Sequence, residues 1–297
     1  MWRRLGTELR DLTECVLLPG LAALLPWRVG FRLLRVFSRF GWLYRERCEA
    51  ALRHAVSLGQ VGAADAAAWV RAARLVILVD HADFMLAITR GDGWMRRHLR
   101  VTGRWPDGGA AILCTFHWGA GMWGLRHAGA SGLKPHALVA PLERAAFPHN
   151  MVLYHYYRLR NRAVQRALGS APIDATKGLR RVVSALRTDE QVMAAVDVPA
   201  DQVSASEIIP FMGYSARVPR ALFKLAVERQ MPLTVYVTGF DPGTGMRSLQ
   251  IEEVLPQESV ERMAAAVFTH LEQAIRTQPP AWHFWAVADR FFVQAST

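Results

Sequence analysis

From about residue 95 onward the chain alternates short β-type runs with helical stretches, and this alternation restricts its fold more than any other feature. The runs are AAILCTF (110–116), HALVA (136–140), VMAAV (192–196), LTVYVT (233–238) and LQIEEV (249–254). Helical periodicity fills roughly 147–168, 177–187 and 219–230, and a last long helix is predicted from Val260 to Gln278. Parallel strands can be joined only through crossovers, so strands alternating with helices imply an α/β domain whose mostly parallel sheet is buried between helices. In such sheets, sites gather at the carboxyl ends of strands. His117 and Asp197 each stand just after a strand.

Residues 1–93 read differently, as helices rich in Ala, Leu and Arg without alternating strands, and the best boundary lies near Gly91–Trp94. The expected organisation is an N-terminal helical, membrane-associating region over 1–93 followed by an α/β domain over 94–297. The membrane expectation rests on WRVGFRLLRVFSRF (27–40), where Arg28, Arg32, Arg35 and Arg39 form one helical stripe and Val29, Leu33, Val36, Phe37 and Phe40 lie opposite. This is the pattern of a helix in a membrane interface, or of a surface helix with its apolar side on the core. Trp2, Trp27 and Trp42 near the ends of apolar segments favour the membrane. The run from Cys15 to Trp27 is interrupted by Pro19, Gly20 and Pro26, too short and broken for a spanning helix, and no cleavage site of a signal peptide follows it.

With 52% hydrophobic residues in 297 positions, the chain can bury a large core, which excludes disorder as its main state. Its net charge of 36 − 25 = +11 suits phosphates, anionic headgroups or an acidic protein partner. Nucleic acid is not an expected partner, because no reader motif is present and the basic stripes are backed by apolar faces. Cys15, Cys48 and Cys114 are odd in number and set apart in apolar surroundings, so neither a disulfide framework nor a metal site is indicated.

In FHWGAGMW (116–123), His117 ends the first strand and Gly119 and Gly121 let backbone or a long ligand approach. A histidine so placed can take a proton from an attacking hydroxyl, or can be a core histidine beside Trp118. Two distant stretches favour the first. AAVDVPADQVSASEIIPFMGYSARVPRALFKL (194–225) resembles the "D-Q…P-F-F-G…P" block of the lipid A biosynthesis acyltransferases, bacterial lauroyl- and myristoyl-transferases. GGAAILCTFHWGAGMW resembles their strand and "H-x-G-N-W-E" segment, and PPAWHFWAVADRFF their closing "P-x-x-W-x-W-x-H-x-R" segment. The resemblance covers roughly residues 95–292, in the family's order.

The resemblance implies a glycerolipid-acyltransferase-like fold. It also implies transfer of a fatty acyl chain from acyl carrier protein, or acyl-CoA, to a hydroxyl of a glycolipid acceptor at the cytoplasmic face of the inner membrane. No metal or bound cofactor is needed. His117 takes the place of the base in the family's H-x4-[D/E] motif, but the acid's place holds Met122, and the Asn-Trp pair is Ala120-Gly121. A thioether cannot accept an imidazole N–H as a carboxylate does. Three accounts stand open: another carboxylate serves, with Asp197 first and Asp80 second; the histidine acts alone on a more acidic hydroxyl, such as the phenol of a pigment or polyene headgroup; or the chemistry is lost and acyl binding kept.

Asp197 has the alternative of capping its proline-containing loop. Pro210-Phe211-Met212-Gly213 suits a tight turn lining an apolar channel, or core packing. The expected acyl channel is walled by Trp118, Trp123 and Phe211, and tetrahedral charge would meet backbone N–H groups where the next helix starts. Arg144 matches a family arginine just after a strand, and Arg158, Arg162 and Arg166 form a stripe for acceptor phosphates or an acidic carrier protein, or merely a solvated face.

Overall fold

The computed structural model describes residues 2–293, with side chains from Arg4 onward, so the side chain of Trp2 and residues 294–297 of the second segment lie outside the described residues. The N-terminal part is helical, with α1 (Trp2–Leu12) running through a π-helical turn at Thr13–Leu17 into α2 (Leu18–Leu24). After Pro26 come α3 (Trp27–Phe37), α4 (Arg45–Ser57) and the long α5 (Ala66–Thr89). A break at Arg90–Gly91 leads to α6 (Asp92–His98) and β1 (Leu99–Thr102).

Then follow β2 (Ala111–Thr115), α7 (Met122–Ala130), β3 (His136–Val139), α8 (Met151–Leu168), β4 (Ile173–Asp174), α9 (Leu179–Arg187) and β5 (Gln191–Ala195). A hairpin of β6 (Ser206–Phe211) and β7 (Tyr214–Pro219) precedes α10 (Ala221–Glu228), β8 (Leu233–Phe240), β9 (Arg247–Val254) and α11 (Val260–Thr277). The main sheet has the order β1-β9-β8-β2-β5-β3-β4 and is parallel except where β9 pairs antiparallel with β8. This is the expected α/β class. Met212 and Gly213, with φ of 55° and 84°, form the two-residue turn that joins β6 to β7.

α5 is not an amphipathic surface helix, because every residue from Ala73 to Phe84 is buried. It packs against α2, α3, α4, α7 and α8 and carries charge into the interior. Asp83 and Arg247 form an ion pair with both side chains at 0% exposure, and the guanidinium stacks 3.6 Å from the ring centroid of Trp27. A buried arginine held by a carboxylate and an aromatic face ties the N-terminal helices to β9.

α3 turns to the core a side other than the stripe opposite its arginines. Its core side is Trp27, Gly30, Phe31 and Leu34, with Gly30 crossing α2 so closely that a Cβ there would lie 2.2 Å from the Ala22 carbonyl oxygen. The apolar side predicted to face core or membrane is a second stripe, of which Val29, Val36 and Phe40 are exposed. Leu5, Leu9, Leu17, Leu21, Leu24 and Trp42 are exposed as well, so the first helices present much apolar surface beside the arginines. No helix among the described residues is long and apolar enough to cross a membrane.

Candidate active site

Thr115 at the end of β2 is in register with Ala195 at the end of β5. Two residues beyond each lie His117 and Asp197, and because side chains alternate with a period of two, both point to the same side of the sheet. Asp197 is fully buried, at 0% exposure, and its carboxylate accepts from three N–H groups. The His117 ring Nδ1 donates to Oδ1 over 2.9 Å, the His117 backbone N–H is 2.9 Å from each oxygen, and Trp282 Nε1 donates to Oδ2 over 2.9 Å. With the proton on Nδ1 turned to the carboxylate, Nε2 carries the lone pair. The imidazole is 40% exposed, and Nε2 has no partner among the described residues.

The segment after α11 closes the site from the third side. Trp118 and Trp282 form an antiparallel bridge, Gly119 N–H donates to the Ala281 carbonyl, and His283 N–H donates to the His117 carbonyl over 2.8 Å. The His283 ring Nε2 lies 2.9 Å from the Gly119 carbonyl, and the Phe284 ring lies 4.2 Å from that of His117. Desolvation pushes His283 down to about 4 against the opposing charge of Asp80, so it is a neutral donor to Gly119. Gly119 has φ 52°, and a Cβ there would fall 2.5 Å from the Thr238 carbonyl oxygen, so the loop requires glycine.

Residues 149–287 match the sequence model of a family described as bacterial lipid A biosynthesis acyltransferase. Just under half of the chain is therefore similar to this family. The chain is an acyltransferase. Comparison with curated proteins gives no match. The matched region of the acyltransferase contains Asp197, Trp282, His283 and Phe284 but begins after His117.

Other residues singled out in the acyltransferase sequence are dispersed. Strand phase places Trp118 on the sheet face opposite His117, beside Gly239 of β8, and it is buried. Phe211 packs edge-on against Trp282 at 6.0 Å and stacks on Phe292, while Trp123 stacks on Trp94. Trp123 and Phe211 are packed core, whereas Trp118 borders a separate cleft of about 540 Å³ beside β8 and β9, so the three do not wall one channel. The expected backbone donors are also fewer, since the N–H groups of Trp118, Gly119 and Ala120 are bonded to Phe116, Ala281 and Thr238, leaving those of Gly121 and Met122. Met122 is buried in the first turn of α7 and lines a cleft with Arg90, Arg126 and Arg166. Arg144 follows β3, donating to the Phe147 carbonyl and lying over the Tyr154 ring at 5.5 Å. Arg158 and Arg162 are exposed on α8.

Asp80, the second candidate for the acid, is engaged elsewhere. Its carboxylate meets Arg160 at 2.7 Å, and although burial raises its pKa, the guanidinium outweighs this and holds it well below the usual range. Next to it, His81 Nδ1 lies 2.5 Å from the Tyr156 hydroxyl, and burial pushes this histidine down to about 3. Its unfolded value is near 6.5, so the stability that depends on neutral His81 is complete above that pH and is lost as pH falls toward 3. Melting followed by circular dichroism should therefore show a steeper fall in Tm from pH 6.5 to 4 in the native protein than in His81→Gln. Equal slopes would remove His81 as the source.

Trp282, His283 and Phe284 are site residues that the sequence alone does not mark. Their one signal was an unusual density of aromatic N–H donors after a proline pair.

Proposed function

We propose that this acyltransferase moves a fatty acyl chain from acyl carrier protein or acyl-CoA to a hydroxyl of a lipid A-like or other glycolipid at the cytoplasmic face of the inner membrane. His117 is the general base and Asp197 the acid that orients it. The observation that carries this reading is the 2.9 Å contact from the Nδ1 of a half-exposed His117 to a fully buried Asp197, with Nε2 unpartnered among the described residues.

Nε2 takes the proton of the acceptor hydroxyl as its oxygen attacks the thioester carbonyl, and the carboxylate opposite Nδ1 stabilises the imidazolium that forms. The N–H groups of Gly121 and Met122 are the loop's remaining donors for the negative oxygen of the tetrahedral intermediate. When the carbon–sulfur bond breaks, the imidazolium returns its proton to the thiolate, yielding an ester and a free thiol. With Asp197 in the acid's role, Met122 does not require a more acidic hydroxyl, so a glycolipid alcohol is favoured over a phenol.

The exposed apolar side chains of the first helices beside Arg28, Arg32, Arg35 and Arg39 support a membrane-surface location. The exposed stripe Arg158, Arg162 and Arg166 supports docking of an acidic carrier protein. Incubating the purified protein with acyl carrier protein thioester or acyl-CoA and bacterial inner-membrane lipids, followed by mass spectrometry, should reveal a glycolipid heavier by one acyl group. Formation of no acyl ester from either donor would overturn the reading.

A further inference from the structure

Away from His117, a cleft of about 360 Å³ opens between α3, α5 and the β8–β9 turn. Arg32, Arg35 and Arg39 line it from the α3 side and Arg71 from α5, with Val36 and Leu75 between elements. None of the four guanidiniums pairs with a carboxylate among the described residues. The acid adjoining the lining residue Pro242 is Asp241, and it is taken up by its own turn, accepting from the N–H groups of Gly243 and Thr244 and the Thr244 hydroxyl.

A second observation concerns the charge next to the cleft. Arg74, one turn beyond Arg71 on α5, is only 5% exposed. Its Nε donates to the Leu43 carbonyl over 2.9 Å and its Nη1 to the carbonyl of Ser38, a lining residue, over 2.6 Å. Carbonyls satisfy hydrogen bonds but do not neutralise a guanidinium, and a buried charge without a counter-charge is costly. Four arginines thus line a cleft, with Arg74 buried next to it, where the described residues supply no pairing carboxylate.

We infer that this cleft is a phosphate-binding site. Guanidinium forks match phosphate oxygens in pairs, and several around one anion relieve their mutual repulsion. The ligand is the phosphate of a membrane phospholipid headgroup or a soluble phosphate ester. The site shares no residue with the His117 centre. The lipid source rests on the membrane-surface location proposed above, whereas the phosphate chemistry does not.

The test uses the full-length protein, with Arg71→Ala in the cleft and Arg28→Ala as control, since Arg28 lies on the same α3 stripe but outside the lining. Co-sedimentation with phosphatidylcholine vesicles containing phosphatidylglycerol, at physiological ionic strength, reads the lipid source. A thermal shift with glycerol phosphate in the absence of vesicles reads the soluble source. For a headgroup site, Arg71→Ala should weaken vesicle partitioning by about fivefold or more and Arg28→Ala by about twofold or less. For a soluble phosphate, both proteins should partition alike while glycerol phosphate raises Tm in the native protein and in Arg28→Ala but not in Arg71→Ala. Equal losses for the two variants on vesicles, without a thermal shift that depends on Arg71, would show diffuse attraction and overturn the site. Acyl transfer measured on the same Arg71→Ala protein keeps this outcome separate from the fate of the His117 reading.

Discussion

His117→Ala lowers acyl transfer by about three to four orders of magnitude, and Asp197→Asn does nearly the same with both variants folded as the native protein is. On the proposed mechanism, the first removes the base that takes the hydroxyl proton. The second acts through hydrogen-bond polarity. All the contacts to Asp197 come from N–H donors, on both of its oxygens, so an amide must turn its NH₂ toward His117 or toward Trp282. If toward His117, the ring must present a lone pair at Nδ1 and carry its proton on Nε2, where it cannot act as base. Turnover should therefore collapse at unchanged KM for the donor. Circular dichroism and donor binding close to native, together with turnover within tenfold of native, would remove Asp197 from the mechanism.

Arg247→Met destabilises the protein by about 3–5 kcal/mol, because it leaves Asp83 buried without its counter-charge. Burial alone already raises the Asp83 pKa against the pull of Arg247, so in the variant the carboxyl takes up a proton and the loss shrinks as pH falls. The double variant Asp83→Leu, Arg247→Met removes both charges and should regain most of the stability, since a buried pair is worth little against apolar residues of similar volume. Urea unfolding of the three proteins checks this. A double variant as unstable as the single would assign the loss to the guanidinium stacked on Trp27 rather than to the orphaned charge.

The parallel strands were legible because each is an apolar run bounded by polar or turn-forming residues, and their observed limits fall close to the predicted ones. β1 was not, since only Leu99 of its four residues is buried, and β4 has two residues in all. The β6–β7 hairpin escaped because Pro210 and Arg217 interrupt its strands. The core-facing side of α3 was not legible. Two apolar stripes flank its arginines, and nothing in periodicity says which meets the core; Gly30, the one residue that allows contact with the Ala22 carbonyl, marked it. Asp197 could be nominated because strand ends converge, but the roles of Trp282 and His283 depend on contacts 85 and 164 positions away in sequence, beyond any local pattern.

The bridge between Trp118 and Trp282 also sets an order of events during synthesis. A ribosome that has delivered the sheet as far as β9 has made His117 and Asp197, but not the indole that holds the carboxylate or the strand that pins the histidine loop. The histidine loop and the buried carboxylate therefore gain these contacts only once residues 281–283 have been made.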